Sequence, residues 1–172
     1  MGTASIEKAS SATTSRTGKY LLFRLGAEEY GIPVLKVREI VGPQEPAPVP
    51  HTPGYVKGVI NLRGKIIPIT DLRLRFGLPA IETTDRSCII VVNVEGAASE
   101  VLAGVIVDQV LEVADISGED IEDIPDFGQT VDVSYVLGIA KTETGVRILL
   151  DTDTMLALSG WQLDPAAAPS AS

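Results

Sequence analysis

The sequence predicts an all-β protein: two SH3-like five-stranded β-barrels packed together, with short connecting helices. Three observations predict it. The apolar runs are short and dominated by β-branched residues, which suit strands better than helices. Tight turns containing glycine separate those runs. The whole pattern of runs and turns then occurs a second time in the chain.

The first copy is clearest over residues 55–77, Y-V-K-G-V-I-N-L-R-G-K-I-I-P-I-T-D-L-R-L-R-F-G. Two apolar strands, 58–62 and 65–70, flank Arg63-Gly64, and glycine supplies the positive φ that a two-residue hairpin turn demands. Asp71 is placed to cap a short helix over 72–76, its carboxylate accepting from the helix's free N–H groups. Arg73 and Arg75 suit the negative end of that helix, and Gly77 followed by Pro79 ends it. Arg63 is thereby presented at a hairpin tip.

The second copy follows the same order. Tyr55 to Asp71 and Tyr135 to Asp151 each span sixteen residues (71 − 55 and 151 − 135), and each brackets a Tyr-Val-x-Gly start and a turn glycine, Gly64 or Gly145. Upstream, residues 31–40 and 104–113 share the form G-[IV]-x-V-x-x-V-x-E-[IV]. The offset is 73 there (104 − 31) and 80 at the tyrosines (135 − 55), so the second copy carries a connecting loop seven residues longer. Apolar strands at 20–25 and 88–94 precede the two copies. A unit of this length is too long for a solenoid repeat, which leaves two small similar β-domains.

Between these landmarks the chain reads as strands at 19–25, 30–33, 38–41, 101–107, 109–115, 136–142 and 146–150, with a last short helix near 154–158. Residues 42–53 hold five prolines (Pro43, Pro46, Pro48, Pro50, Pro53) and form an extended connector. Residues 1–18 and 159–172, rich in small and polar residues, are expected to be disordered tails. The domain boundaries expected are therefore 19–83 for the first barrel and 84–158 for the second. Five short strands per half with tight turns is the pattern of a Greek-key or SH3-like barrel. Each half is small for an independent core, so the two should pack together.

Charge and composition exclude several function classes. The net charge of −9 disfavours nucleic-acid binding, which rests on neutralising phosphates. Residues 57–75 hold five cations (Lys57, Arg63, Lys65, Arg73, Arg75) and one anion, whereas residues 93–126 hold ten anions and no Lys or Arg, which suits partners met in a defined orientation. No apolar run approaches the roughly twenty residues a membrane helix needs, and the start lacks the apolar core of a secretion signal. The single cysteine, Cys88, reads as a buried structural thiol in a reducing compartment, so the cytosol is expected. The lone His51 sits in a proline-rich connector, and no Cys/His cluster has zinc spacing. The acidic run 117–126 lacks a calcium loop's ligand period, and Asp71 and Asp151 are accounted for as helix caps. No catalytic residue, metal or cofactor is expected, which leaves contact with other proteins as the function.

The segments E-E-Y-G-I-P-V-L-K-V-R-E-I and T-P-G-Y-V-K-G-V-I-N-L-R-G-K-I-I-P-I-T-D-L-R-L-R-F-G resemble the CheW family, the adaptors of bacterial chemotaxis, over roughly residues 19–158. The resemblance implies two five-stranded SH3-like barrels around a shared apolar core. It implies coupling of transmembrane chemoreceptors to the histidine kinase CheA, whose regulatory domain has the same fold, by a cytoplasmic scaffold recruited to membrane-associated receptor arrays. It also implies a stand-alone adaptor, without kinase or receiver domains. Functional weight falls on Val37, Glu39, Lys57, Gly58 and Arg63, with Val110 and Val113 as the matching apolar positions. Pro33 departs from the family pattern, which more often has a polar or acidic residue there.

A helical receptor tip needs an apolar groove with a polar rim. Val37, Cys88, Val110 and Val113 are the expected lining, each alternatively a plain core residue, and Arg63 the expected receptor contact. Glu39, Lys57 and Gly58 are assigned to kinase binding or structural support; Gly58 is also explained by close approach of a neighbouring backbone. Arg63 either grips a receptor carboxylate or carbonyl or pairs internally with Glu39, and the two are compatible. An SH3-like peptide- or nucleic-acid-binding module using the basic hairpin is the alternative function.

Overall fold

The computed structural model describes residues 16–95, 100–125, 134–143 and 145–157. In chain order the strands are β1 (Gly18–Leu25), β2 (Glu28–Pro33), β3 (Val37–Val41), β4 (Val56–Leu62), β5 (Lys65–Asp71), β6 (Cys88–Glu95), β7 (Glu100–Val107), β8 (Gln109–Ile116), β9 (Ile121–Glu122), β10 (Val136–Lys141) and β11 (Val146–Leu150). Helices α1 (Leu72–Arg75) and α2 (Thr152–Ala157) follow the two repeated hairpins, and short 3-10 turns occupy Val34–Lys36 and Gly118–Asp120. Asp71 caps α1 by accepting from the Arg73 and Leu74 amides, and Asp151 accepts from Thr154 at the start of α2. Residues 16 and 17, within the stretch expected to be a tail, make contacts with the fold. Arg16 donates to Asp123 (2.8 Å) and to the Leu137 carbonyl, and Thr17 accepts from the Gly118 amide.

The strands form two sheets, in the orders β8-β1-β2-β11-β10-β9 and β3-β6-β7-β5-β4. The boundary expected between residues 83 and 84 is not where these sheets divide. The β1–β2 hairpin of the first repeat is inserted between β8 and β11 of the second, and the β6–β7 hairpin of the second is inserted between β3 and β5 of the first. Each inserted hairpin meets its host through a parallel pairing, Gly31 opposite Leu149 in one sheet and Gly104 opposite Ile69 in the other. These are equivalent positions at the repeat offsets, so the exchange is reciprocal. The irregularities are equivalent too: register slips between Val56 and Gly58 on β4, and between Val136 and Gly138 on β10. Two-residue β9 was missed, because its counterpart in the other sheet is only a single bridge, Ala47 opposite Val59.

Three apolar clusters follow from this pairing. One fills the first sheet around Tyr20, Leu22, Ile116 and Leu149, and one fills the second around Ile60, Ile67, Ile69, Ile89 and Val91. The largest, between the sheets, takes Leu21, Phe23 and Leu25 from β1 and Ile90, Val92 and Val94 from β6. β1 and β6 are thus apolar on both faces, which explains their unbroken runs Leu-Leu-Phe and Ile-Ile-Val-Val. Around them, Phe23, Tyr30, Phe76 and Tyr135 stack in a row with centroids 5.4–5.8 Å apart, joining both sheets through the end of α1.

Gly58 is fixed by the connector that crosses it. Its φ is +137°, and a Cβ there would lie 2.0 Å from the Ala47 carbonyl oxygen. The Ala47 and Val59 amide–carbonyl pairs, at 2.8 and 2.9 Å, hold that backbone in place. Gly58→Ala is therefore expected to cost at least about 2 kcal/mol through backbone strain and overpacking, measured by urea unfolding.

Candidate functional site

β3 and β8 occupy equivalent positions at one edge of each sheet. On β3, Val37 lies opposite Val92 and Ile40 opposite Ile90, both residues of the central cluster. On β8, Val110 lies opposite Phe23 and Val113 opposite Leu21, again residues of that cluster. Cross-strand partners share a sheet face, so all four aliphatics belong to the faces turned towards the central core. Val37, Val110 and Cys88 pack directly against it as half-buried residues. Ile40 and Val113 remain 43% and 48% exposed. Cys88 is less buried than the sequence suggested, and its thiol donates to the Arg86 carbonyl at 3.4 Å. Ile40 was missed, although the repeat offset marks it as the counterpart of Val113 (113 − 73 = 40).

The polar rim comes from the repeated hairpin. Arg63 has φ +53° and Gly64 φ +90°, a type I′ turn, and the Asn61 side chain accepts from the Gly64 amide at 2.8 Å. A non-glycine residue in this left-handed conformation is disfavoured, and asparagine would occupy it with less strain. Arg63 Nη1 donates to Glu39 Oε2 at 2.5 Å, which brings the tip of the hairpin to β3 between Val37 and Ile40. The hydrogen bond from Arg63 holds the Glu39 carboxyl below its ordinary value, and Glu39 in turn raises the guanidinium. The internal pair expected from the sequence is present. It does not consume Arg63, whose side chain is 74% exposed.

Two other cations of the basic stretch, Arg73 and Arg75, are held by internal partners. Arg73 makes a fork onto Asp108, Nε to Oδ1 and Nη2 to Oδ2, both 2.8 Å. The guanidinium of Arg75 lies 5.3 Å from the Tyr55 ring and 5.2 Å from the Tyr135 ring, between the two tyrosines that open the repeated hairpins. Lys57, the extra residue in the β4 slip, is exposed and lines a cleft of about 260 Å³ with Asp71, Arg73, Ile81 and Asp108. Gly58 is buried beneath the connector, a structural position.

The family model for the CheW-like domain matches residues 19–159. The chain belongs to the CheW family. It is 35% identical over 156 residues to the chemotaxis protein CheW of Klebsiella aerogenes, covering 91% of this chain and 90% of that one. It is 39% identical over 139 residues to CheW of Helicobacter pylori, covering 80% and 81%. The crystal structure of the scaffolding protein TtCheW from Thermoanaerobacter tengcongensis superposes with a TM-score of 0.73 at 36% identity, over 86% of this chain and 97% of that one. The SH3-like fold and the role of chemotaxis adaptor and scaffold follow from this membership. Among the described residues, no helix is long and apolar enough to cross a membrane.

Two expectations test this geometry. Arg63→Asn removes the pair with Glu39 yet relieves the turn, so its urea midpoint should be no lower than that of the native protein. At Asp108, burial pushes the carboxyl up, but donation from Arg73 and the Gly26 amide outweighs it and leaves the group below its ordinary value of 3.8. A lowered carboxyl contributes stability that is present above its unfolded value and is lost as pH falls through the folded one. The stability difference between native protein and Asp108→Asn should therefore be constant from about pH 8 to about pH 5 and shrink below about pH 4, measured by denaturant unfolding across pH.

Proposed function

We propose that the β3/β8 face binds the cytoplasmic tip of chemoreceptors and that a second surface binds the regulatory domain of the histidine kinase CheA. The observation that carries this reading is the pairing of exposed Ile40 and Val113 with half-buried Val37 and Val110 on equivalent edge strands, beside an exposed Arg63. Such a strip offers an amphipathic helix an apolar bed, and Arg63 offers a forked donor for a carboxylate or carbonyl at its margin. Cys88 contributes at the Ile40 end, since it precedes Ile90 by two residues on the same strand face.

Glu39 and Lys57 belong to kinase binding or support, Glu39 by orienting Arg63. The protein works in the cytosol at membrane-associated receptor arrays, without inserting into the membrane, and contributes no chemistry of its own. Holding receptor and kinase side by side lets a small receptor change bias the kinase, and arrayed contacts make individually modest affinities sufficient. A nucleic-acid or peptide module using the basic hairpin has less support, because Arg73 and Arg75 have internal partners and the net charge is −9.

Purified protein mixed with a receptor tip fragment, and separately with a kinase regulatory domain, tests the reading. Val113→Asp and Ile40→Asp should each weaken tip binding at least about tenfold, by placing an unpaired charge in an apolar contact, while leaving the fold intact. Arg63→Ala, Glu39→Ala and the double variant should show non-additive losses in the same assays. Retention of both bindings by Arg63→Ala would remove Arg63 from the site.

A further inference from the structure

Each sheet has a hollow at one end, and the two hollows are equivalent in the repeat. In the second sheet the cleft of about 260 Å³ is lined by Lys57 at the start of β4, Ser87 just before β6, and Ile106, Val107 and Asp108 at the end of β7. In the first sheet a cavity of about 300 Å³ is lined by Leu137 at the start of β10, Gly18 at the start of β1, and Pro33, Val34 and Leu35 at the end of β2. Leu137 matches Lys57 (137 − 80), and Pro33, Val34 and Leu35 match Ile106, Val107 and Asp108 at the offset of 73.

At the second sheet the chain leaving α1 runs across the hollow, so that residues 80–83, Ile81 among them, also line it. Arg73 holds that stretch by donating to the Pro79 carbonyl at 2.9 Å, and its fork engages Asp108, the single residue between β7 and β8. The side chain of Asp108 is mostly buried as a result. At the first sheet its counterpart Leu35 is 91% exposed, the most exposed large apolar residue among those described. A lone exposed leucine is ordinary on a protein surface. Leu35 differs by its place, at the lip of an apolar hollow whose counterpart is crossed by chain.

The chain that would cross it follows α2. Ten residues after the capping aspartate stands Ile81 in one repeat and Trp161 in the other (81 − 71 and 161 − 151). Residues 158–172 lie outside the described residues. Lys36 Nζ donates to Asp153 Oδ2 at 2.8 Å, so the start of α2 lies beside Leu35. Asp153 to Ala157 is about 6 Å of helix, and the four residues on to Trp161 extend to about 14 Å, enough to return past Lys36.

We infer that the segment after α2 closes the hollow of the first sheet, with Trp161 packed over Leu35 and into the apolar cavity. An indole carries a large apolar surface and one N–H, which suits an apolar hollow with Thr17 and Lys19 at its margin. The closure is independent of what binds the β3/β8 face. It joins the C-terminal segment to the turn that enters β3, two residues before Val37.

Trp161 is the single tryptophan, so its fluorescence in the full chain reports this contact alone. In the native protein its emission should lie at shorter wavelength than in the urea-unfolded chain and be shielded from acrylamide. Leu35→Asp should shift the emission to longer wavelength and restore quenching, with far-ultraviolet circular dichroism unchanged. Val146→Asp, at an exposed aliphatic of the same sheet's hairpin, should leave the emission as in the native protein. A native emission equal to that of the unfolded chain, or one that Leu35→Asp does not move, overturns the closure. Shielding that is lost on dilution also overturns it, and assigns the cavity to a second copy of the chain.

Discussion

The constraint on which the molecule depends is the reciprocal exchange of hairpins through two parallel seams. In each seam a glycine faces a large aliphatic residue: a Cβ on Gly31 would lie 2.9 Å from Leu149, and one on Gly104 would lie 2.6 Å from Ile69. The side-chain tips of Leu149 and Ile69 pack where a Cβ would otherwise stand. Through the seams, β1 and β6 become inner strands with an apolar cluster on either face, and neither sheet can be completed from its own half of the chain. The central cluster is consequently as much a part of each sheet's stability as the sheet's own interior.

The same exchange sets where partners can be met. It leaves β3 and β8 as edges, bordering the central cluster with half-buried valines and exposed aliphatics. Unprotected edges invite indiscriminate strand pairing. Both edges carry a register irregularity, at Arg38 on β3 and in the equivalent part of β8, and both carry acidic residues, Glu39 and Glu112, which discourage such pairing while leaving the apolar side chains accessible. A helix face can use such an edge where another strand cannot.

Much of the charge asymmetry visible along the chain is resolved inside the fold. Arg73 of the basic stretch meets Asp108 of the acidic one, and Glu29 on the first parallel seam accepts from both Arg147 and Arg24. Donation from Arg147, together with Arg24, holds the Glu29 carboxyl below its ordinary value despite burial. Linear charge runs therefore overstate the field presented to partners. Arg63 is the informative exception, paired with Glu39 but still largely in solvent at a strained turn.

The sequence by itself determined the elements: the positions of the strands, the Asp71 and Asp151 caps, the Arg63-Gly64 turn, the close approach at Gly58 and the fact of duplication. The caps and the turn depend on interactions spanning a few residues, and the strands and the duplication on patterns that composition and periodicity record directly. Only the tertiary structure decided that the repeats exchange their first hairpins, that Asp108 lies at the crossing between sheets, and that Ile40 stays exposed beside Val113. The physical reason is the duplication itself. Two similar repeats present similar edges, so a hairpin carries the same alternation whether it pairs with its own repeat or with the other, and local sequence cannot distinguish the two arrangements. The choice is made by the combined packing of both halves around one central core.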